Sequence, residues 1–559
     1  MSAPASASPR GSVIGPQTGL ELHIGRPGGS NLIRDLVAGA PALAPFYAGH
    51  FRDPDAFRRK ADAVHARLRP DLRARLSDAF VPTSGVAESK LREVLAGRGL
   101  AVTTGQQTGL FGGPFYTVYK ILSAVRLAES LESQLGEPVL PIFWIASDDH
   151  DWAEVNHTAV VDASDDVRRL ALDDPEDAPR VPMSERALPE EIGSVVDDLA
   201  GVLADTEFSS PLRRLVRDAY RPGATMAAAF GTLMRGLLAG FDLALIDAAH
   251  PALKTAAAPI LAREVADSPA NALLLRAQTD RLLAAGYHEQ VTVSDDAANV
   301  FMHEADGRDR LTRAERGWQL RRTRRSFSSA ELERLLADEP ARFSPNVFLR
   351  PVVESALIPT VAYVAGPGEA SYFAQIGCLF KAHGVEPPIV VPRHGVTIVE
   401  PRIRRLLDKF GFEPADFARP LHEITTEVVQ SGLPQSVTGG LERLRATIER
   451  EYDELASAAA AIDPTLREWV AGKRNRALID VATTERKIVG HLKKRRGDEI
   501  RQLRRVSLNL HPDGAPQERG LNALPYLARY GPGLLRDIAA AMDAPLDRRA
   551  ADWPGVDCG

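Results

Sequence analysis

Residues 100–151 read LAVTTGQQTGLFGGPFYTVYKILSAVRLAESLESQLGEPVLPIFWIASDDHD, and this stretch decides the fold. It opens with a short apolar run that breaks into a Gly/Gln-rich turn, TGQQTG (104–109). A helical stretch follows from Tyr116 to about Leu135, with Val118, Ile121, Leu122, Val125 and Leu131 at helical spacing. The next run, VLPIFWI (139–145), is continuously apolar rather than alternating, as expected of a strand buried on both faces. It ends in a burst of charge, SDDHD (147–151). Strand, polar turn, helix, strand, polar turn is the opening of a βαβ unit.

The same grammar returns downstream. FDLALID (241–247) reads as a strand followed by His250 and Pro251. IPTVAYVAGPGE (358–369) is a strand running into a glycine turn, SYFAQIGCLFKAHG (371–384) is the helix after it, and PPIVVPRHG (387–395) is a further strand. These pieces predict an α/β fold with a Rossmann-like parallel-sheet core, whose loops gather at the strand C-terminal ends where ligands bind in open sheets. Residues from about 30 to 98 read as helical, punctuated by Pro54, Pro70 and Pro82. Two insertions interrupt the core. One near 160–235 is acidic and helical; one near 260–345 mixes a helix with strand-like runs such as EQVTVSD (289–295) and NVFMHEA (299–305). The RRTRR run (321–325) in the second reads as a solvated loop face.

After Pro401 the chain turns helical. Leu444, Ile448, Tyr452, Leu455, Ala459 and Ile462 recur at spacings of three and four, a coiled-coil seam. Asp463-Pro464 then offers an N-cap and a first-turn proline for a second long helix, running through Leu466, Val470, Leu478, Val481, Ile488 and Leu492 to Leu503. So short a joint predicts an α-helical antiparallel coiled-coil hairpin. The basic run KKRR (493–496) on the return helix is a solvated or partner-facing surface. The expected domains are a disordered tail over 1–20, the core over 21–400, the coiled coil over 401–508, and a C-terminal segment over 509–559 that packs back on the core.

With 559 residues, 44% hydrophobic and 25% charged, the chain has ample material for a buried core and more than one structural unit. A net charge of -6 gives no general pull toward nucleic acid or an anionic membrane. The start, MSAPASASPRGS, lacks the apolar run of a signal peptide, and no stretch is long and apolar enough to cross a bilayer, so a cytoplasmic setting is expected. The only cysteines, Cys378 and Cys558, make neither a disulfide framework nor a metal knuckle; Cys378 reads as a core residue on a helix and Cys558 as an exposed thiol.

Three polar turns could carry chemistry. Gly105, Gln106 and Gln107 follow a strand and precede a helix, where backbone N–H groups can approach an anion and amides can meet a polyhydroxylated or carboxylated molecule. The spacing is neither a Walker A loop nor GxGxxG. Asp148, Asp149, His150 and Asp151, with Glu154, Asn156 and His157 beyond, place carboxylates beside imidazole; such a neighbour can orient a general base or share a metal. Gly366, Gly368 and Glu369, followed by Tyr372 and Gln375, form a second glycine turn. Arg393 and His394 end the last strand and suit phosphate or carboxylate. Each turn alone also reads as an ordinary strand-to-helix connection. Their common placement at strand ends favours one shared cleft.

Together the motifs TGQQTGLFGGPFYTVYK (104–120), PIFWIASDDHDWAEVNHT (141–158), YVAGPGEASYFAQ (363–375), VVPR (390–393), IDPTL (462–466) and HPDGAPQER (511–519) resemble the cysteine ligase family of bacillithiol biosynthesis (BshC). They occur in family order over nearly the whole chain. The resemblance implies a Rossmann-like core related in fold to class I aminoacyl-tRNA synthetases, a coiled coil used to form a homodimer, and condensation of L-cysteine with glucosaminyl-malate, with ATP activating the cysteine carboxylate. It implies that Gly105, Gln106, Gln107, Asp148, Asp149, His150, Asp151, Asn156, His157, Tyr363, Gly366, Gly368, Glu369, Tyr372 and Gln375 line the substrate pocket. His150, Asp149 or Asp148 would then free the sugar amine. It also implies ATP or ADP near Arg393, Thr397, Val399, Glu400, Asn509, Leu510 and Tyr526. The HIGH and KMSKS signatures of the synthetases are absent. Two other functions fit the same residues: a metal-dependent hydrolase or deacetylase on a related glycoside, with Asp149 and His150 on the metal, and a non-catalytic nucleotide-sensing scaffold built on the coiled coil.

Overall fold

The computed structural model describes residues 12–67, 75–162, 164, 166–174 and 180–542. The chain divides into two compact units: Met1–Ile398 with Glu518–Gly559, and Val399–Gln517.

The first unit is built on a six-stranded sheet: β1 (Phe80–Pro82), β2 (Leu100–Gln106), β3 (Val139–Ile145), β4 (Ala244–Asp247), β5 (Thr360–Ala365) and β6 (Ile389–Pro392). Their spatial order is β6-β5-β2-β3-β4-β1. All neighbours from β6 to β4 are parallel; β1 alone runs antiparallel, at the edge, where Pro82 is tolerated. The principal helices are α1 (Tyr116–Leu135), α2 (Pro251–Ala284), α3 (Arg350–Leu357) and α4 (Pro367–His383). Strand periodicity splits the continuous apolar runs between two faces. Ala101, Leu140, Ile142, Tyr363 and Val390 pack in one core cluster with Leu253 and Leu261 of α2 and Phe373 and Phe380 of α4. Leu100, Val102, Val139, Val364 and Val391 pack in another with Ala124, Leu127 and Leu131 of α1. Helices therefore cover both faces of the sheet. Strand order reverses between β2 and β5, so their C-terminal ends flank the crevice where open α/β sheets bind ligands.

The first insertion holds a hairpin, His157–Val161 with Val167–Ala171, and the helices Ile192–Val202, Ser209–Ala219 and Met226–Leu237. The second forms a five-stranded sheet, more strand than expected, in the order Ser326–Phe327, Gly317–Leu320, Gly307–Ala314, Ala297–Glu304, Phe343–Pro345. NVFMHEA lies largely within it, whereas EQVTVSD makes no strand. Residues 12–20, expected to be a disordered tail, are ordered. Ser12–Ile14 pairs with Glu21–Gly25, and the Asp537 carboxylate accepts the backbone N–H groups of Gln17 (3.0 Å) and Thr18 (2.8 Å) between them. A long-range partner, invisible in local composition, holds that turn. Residues 1–11, Pro70 and Cys558 lie outside the described residues. Cys378 is half-buried on α4, and burial pushes its thiol up to about 11.

In the second unit, α5 (Gln435–Ala460) and α6 (Leu466–Arg495) run antiparallel, cross-linked by Arg445–Glu485 and Arg474–Asp453 ion pairs, and α7 (Gly497–Leu510) follows after a break at Arg496. Two features of this unit differ from the sequence-based expectation. Asp463 does not cap α6; its carboxylate accepts the N–H and hydroxyl of Thr465, and the helix begins one residue later. The seam is also shifted on α5, where Leu441 and Ala456 are buried while Leu444, Leu455 and, just beyond the helix, Ile462 are exposed; on α6 Val470 and Val481 are buried as expected. Val399, Ile403, Leu407, Phe417, Ile424, Leu503, Val506 and Leu510 make a separate small core for this unit.

Candidate active site

The first turn begins where β2 ends. A Cβ on Gly105 would meet the Trp144 carbonyl at 3.2 Å, so glycine lets β2 and β3 end abreast. The Gln107 amide then spans to the second turn, donating to Asp149 (2.6 Å) and to Glu154 (2.8 Å). Asp149 also accepts the His150 backbone N–H (2.7 Å). Asp148 is paired with Lys254 of α2, whose ammonium donates as well to the Phe343 carbonyl (2.9 Å). The third turn opens α4. Glu369 accepts the N–H of Gly366 (2.7 Å) and the Tyr363 hydroxyl (2.7 Å), and pairs with Lys120 of α1 at 2.6 Å. Lys120 is 2% exposed and donates to the Gly105 carbonyl and to Gln106 (3.3 Å). It therefore ties the first turn to the third across the switch point. Arg350 of α3 supports the same corner, donating to Tyr363 (3.1 Å) and Tyr372 (2.9 Å) while paired with Glu354.

These turns surround one cavity of about 590 Å³. Of the residues singled out from sequence, Gly105, Gln106, Gln107, Asp148, Asp149, His150, Gly366, Gly368, Glu369, Tyr372 and Arg393 line it. Tyr363 stands directly behind, on Glu369. Four others do not reach it. Asp151 is exposed and caps the short helix Trp152–Val155 through the Glu154 N–H (3.3 Å). Asn156 donates to the Leu172 carbonyl (2.8 Å) and its amide oxygen meets His157 Nδ1 (3.1 Å), so this pair anchors the first insertion. Gln375 holds the backbone N–H groups of Gln290 (3.1 Å) and Val291 (3.0 Å). The seven residues expected near a nucleotide divide between the units: Arg393, Thr397 and Tyr526 in the first, Val399, Glu400, Asn509 and Leu510 in the second. Arg393 is buried and spent on a two-pronged pair with Glu518, and Tyr526 is buried against Phe115.

Burial and neighbours set the charge states. Burial pushes the His150 imidazole down, and the Arg308 guanidinium adds to this, so the ring is neutral at pH 7. Its Nδ1 is buried without a hydrogen-bond partner among the described residues, 3.7 Å from Asp149. Burial pushes Asp149 up, but the Gln107 amide and Arg308 outweigh it and hold the carboxyl below its ordinary value. Glu369 is likewise held low: Lys120, Arg350 and the Gly366 N–H outweigh its burial. The site thus offers a neutral imidazole beside an ionised carboxylate. No group of three His, Cys, Asp or Glu side chains is placed to hold a metal among the described residues.

Several lining residues escaped the sequence reading: Tyr116, Lys120, Phe301, Arg308, Arg310 and Arg350. A lysine inside the apolar face of α1 was a usable signal. The residues of the second insertion gave none, because only the tertiary fold brings its sheet over the strand ends.

Residues 20–394 match the family described as "Bacillithiol biosynthesis BshC, N-terminal Rossmann-like domain", and residues 396–548 match "Bacillithiol biosynthesis BshC, C-terminal coiled-coil domain". Among curated relatives, one from Salinibacter ruber is 34% identical over 92% of this chain and 94% of its own length. Another from Solibacter usitatus is 34% identical over 90% and 94%, and one from Symbiobacterium thermophilum 34% over 89% and 92%. All three carry the name "Putative cysteine ligase BshC". With a Rossmann-like domain, a coiled-coil domain and end-to-end similarity to these relatives, the chain belongs to the BshC family of bacillithiol biosynthesis.

Proposed function

We propose that this chain is a carbon–nitrogen ligase that joins L-cysteine to the amine of glucosaminyl-malate, giving bacillithiol in the cytoplasm. One observation carries the proposal: the three polar turns headed by Gln107, His150 and Glu369 line a single cavity at the switch point of the sheet. Amide formation needs a deprotonated amine. The neutral His150 imidazole, which lines the cavity, supplies the base that takes the amine proton. The ionised Asp149, 3.7 Å away, then stabilises the imidazolium. The amine nitrogen bonds to the cysteine carbonyl carbon as the activating group departs. In this proposal ATP supplies that activating group, and no residue here is assigned to the nucleotide. The amides of Gln106 and Gln107 and the Glu369 corner hold the polyhydroxylated acceptor in attacking geometry.

Incubation of the purified chain with cysteine, glucosaminyl-malate and ATP is expected to give the thiol product, and His150→Ala to abolish it. Absence of product, where an extract of a producing strain succeeds, overturns the proposal. We further propose that the outward Leu444, Leu455 and Ile462, with Trp469 and Ile479, meet a second copy of the chain; all five are exposed in the single chain. Light scattering should then report a dimer that Leu444→Glu with Leu455→Glu converts to a monomer.

A further inference from the structure

Six basic side chains line the cavity: Lys120, Arg308, Arg310, Arg350, Arg393 and Arg519. Three of them are neutralised by carboxylates, Lys120 by Glu369, Arg350 by Glu354 and Arg393 by Glu518. Arg308, Arg310 and Arg519 have no such partner among the described residues; Arg519 lies over the Tyr116 ring at 5.9 Å, apart from the other two. Arg308 and Arg310 come from the strand Gly307–Ala314, two positions apart and therefore on one face. Arg310 lies opposite Phe301 on the neighbouring strand, and the Phe301 ring carries both guanidinium groups, at 4.0 Å for Arg308 and 5.4 Å for Arg310.

Arg308 is held in place by its own donors, Nε to the Ser344 hydroxyl (3.0 Å) and a terminal nitrogen to the Pro345 carbonyl (2.8 Å). Arg310 makes no side-chain hydrogen bond among the described residues, and its Nε is buried without an acceptor. A buried charged donor with no acceptor costs free energy that an incoming anion would recover. The charged groups around the pair do not serve that need. Asp148 and Asp149 face Arg308 but are engaged by Lys254 and Gln107, and Asp296 faces Arg310 together with the opposing Arg321. Burial lowers the pKa of both arginines, as expected of cations awaiting a counter-charge.

We propose that Arg308 and Arg310 form an anion subsite that takes a small dicarboxylate, the malyl end of the acceptor; this rests on the ligase reading above. Two planar forks side by side suit two carboxylates, each able to accept a fork in two-pronged fashion. The same Phe301 ring lies 6.3 Å from the His150 ring, centroid to centroid. An acceptor anchored by its malyl group therefore has its sugar directed at the proposed base. A phosphate chain shares the anionic chemistry, and the test separates the two.

The full chain is titrated calorimetrically with L-malate and, separately, with inorganic triphosphate, using wild type, Arg310→Gln and Arg310→Lys. Wild type is expected to bind malate, and R310Q to bind it about tenfold or more weakly, the size of a lost charged hydrogen bond. R310K, which keeps the charge but not the fork, is expected to fall between them and controls for any loss of folding in R310Q. In turnover, R310Q should raise KM for glucosaminyl-malate by a similar factor while leaving KM for methyl glucosaminide, which lacks the carboxylates, unchanged. Unaltered malate affinity in R310Q, no malate binding by wild type, or weakening of triphosphate alone overturns the assignment. If malate binding depends on Arg310 yet wild type forms no thiol product, the ligase reading fails and the subsite stands.

Discussion

Glu369→Gln removes the charge that balances Lys120 while keeping the side chain's shape. The ammonium of Lys120, 2% exposed, would be left with neutral acceptors, the Gly105 carbonyl and the Gln106 amide among them, and no counter-charge. Breaking a buried ion pair by removing one partner costs about 3–5 kcal/mol. Glu369 itself is 21% exposed, so the lower end, about 3 kcal/mol, applies. At about 2.1 cal/mol/K of unfolding entropy per residue, a unit of roughly 400 residues then loses about 3–4 °C in Tm. The loss depends on pH in a defined sense. Lys120, Arg350 and the Gly366 N–H hold the folded carboxyl below its ordinary 4.5. Its contribution is complete above pH 4.5 and disappears as pH falls through the lower folded value. Thermal melts of wild type and E369Q should differ at pH 7 and converge in acid. The double variant with Lys120→Met should lose less than the sum of the singles, by about 1 kcal/mol or more, because it leaves no buried charge alone. A Tm gap that is absent at pH 7, or strictly additive singles, would refute the role of this pair as the clasp between the two turns.

His150→Gln is expected to lower kcat by about 10²–10⁴-fold, the usual worth of a general base. Because burial and Arg308 keep the wild-type imidazole neutral to lower pH, the acid limb of kcat/KM should lie below 6.5, and a limb above 6.5 contradicts the assignment. Asn522→Ala should loosen the docking of the C-terminal segment. Its amide donates to the Phe111 (3.0 Å) and Gly113 (2.9 Å) carbonyls and to Thr158 (3.1 Å), and its oxygen accepts the Leu524 N–H (2.8 Å). A cost of about 2–4 kcal/mol is expected, with new proteolytic cleavage after Glu518; unchanged digestion argues against it. Glu264→Ala should be severe, since the carboxylate, fully buried, accepts from Asn271 (2.7 Å), Asn299 (2.7 Å) and His383 (2.9 Å). It should destabilise by about 3 kcal/mol or more, whereas Glu264→Gln costs less; equal midpoints in denaturant melts would dispose of that expectation.

The strands and turns of the core were legible because their signals are local. An unbroken apolar run such as VLPIFWI can be buried only between two helical layers, and the charged turn after it marks the strand's C-terminal end. Gln107, His150 and Glu369 were identified by that logic, and the geometry brings them to one cavity. Asn156, His157 and Gln375 follow the same motifs but point into packing contacts, because motif membership does not state which way a side chain faces. The seam was legible on α6 but not in phase on α5: Leu444 and Leu455 recur at helical spacing as Leu441 and Ala456 do, and the helix buries only one of the two faces.

By itself the sequence determined the α/β class, the helical hairpin and the three turns, since periodicity and glycine placement act over a few residues; the family was carried by the likeness of its motifs. Only the tertiary structure decided which charges meet. Lys120 finds Glu369, and Arg308 and Arg310 come to face the strand ends, through contacts between segments far apart in the chain. Desolvation, which pushes down the pKa of both His150 and Arg310, depends on everything packed around a group and is written in no single stretch of residues.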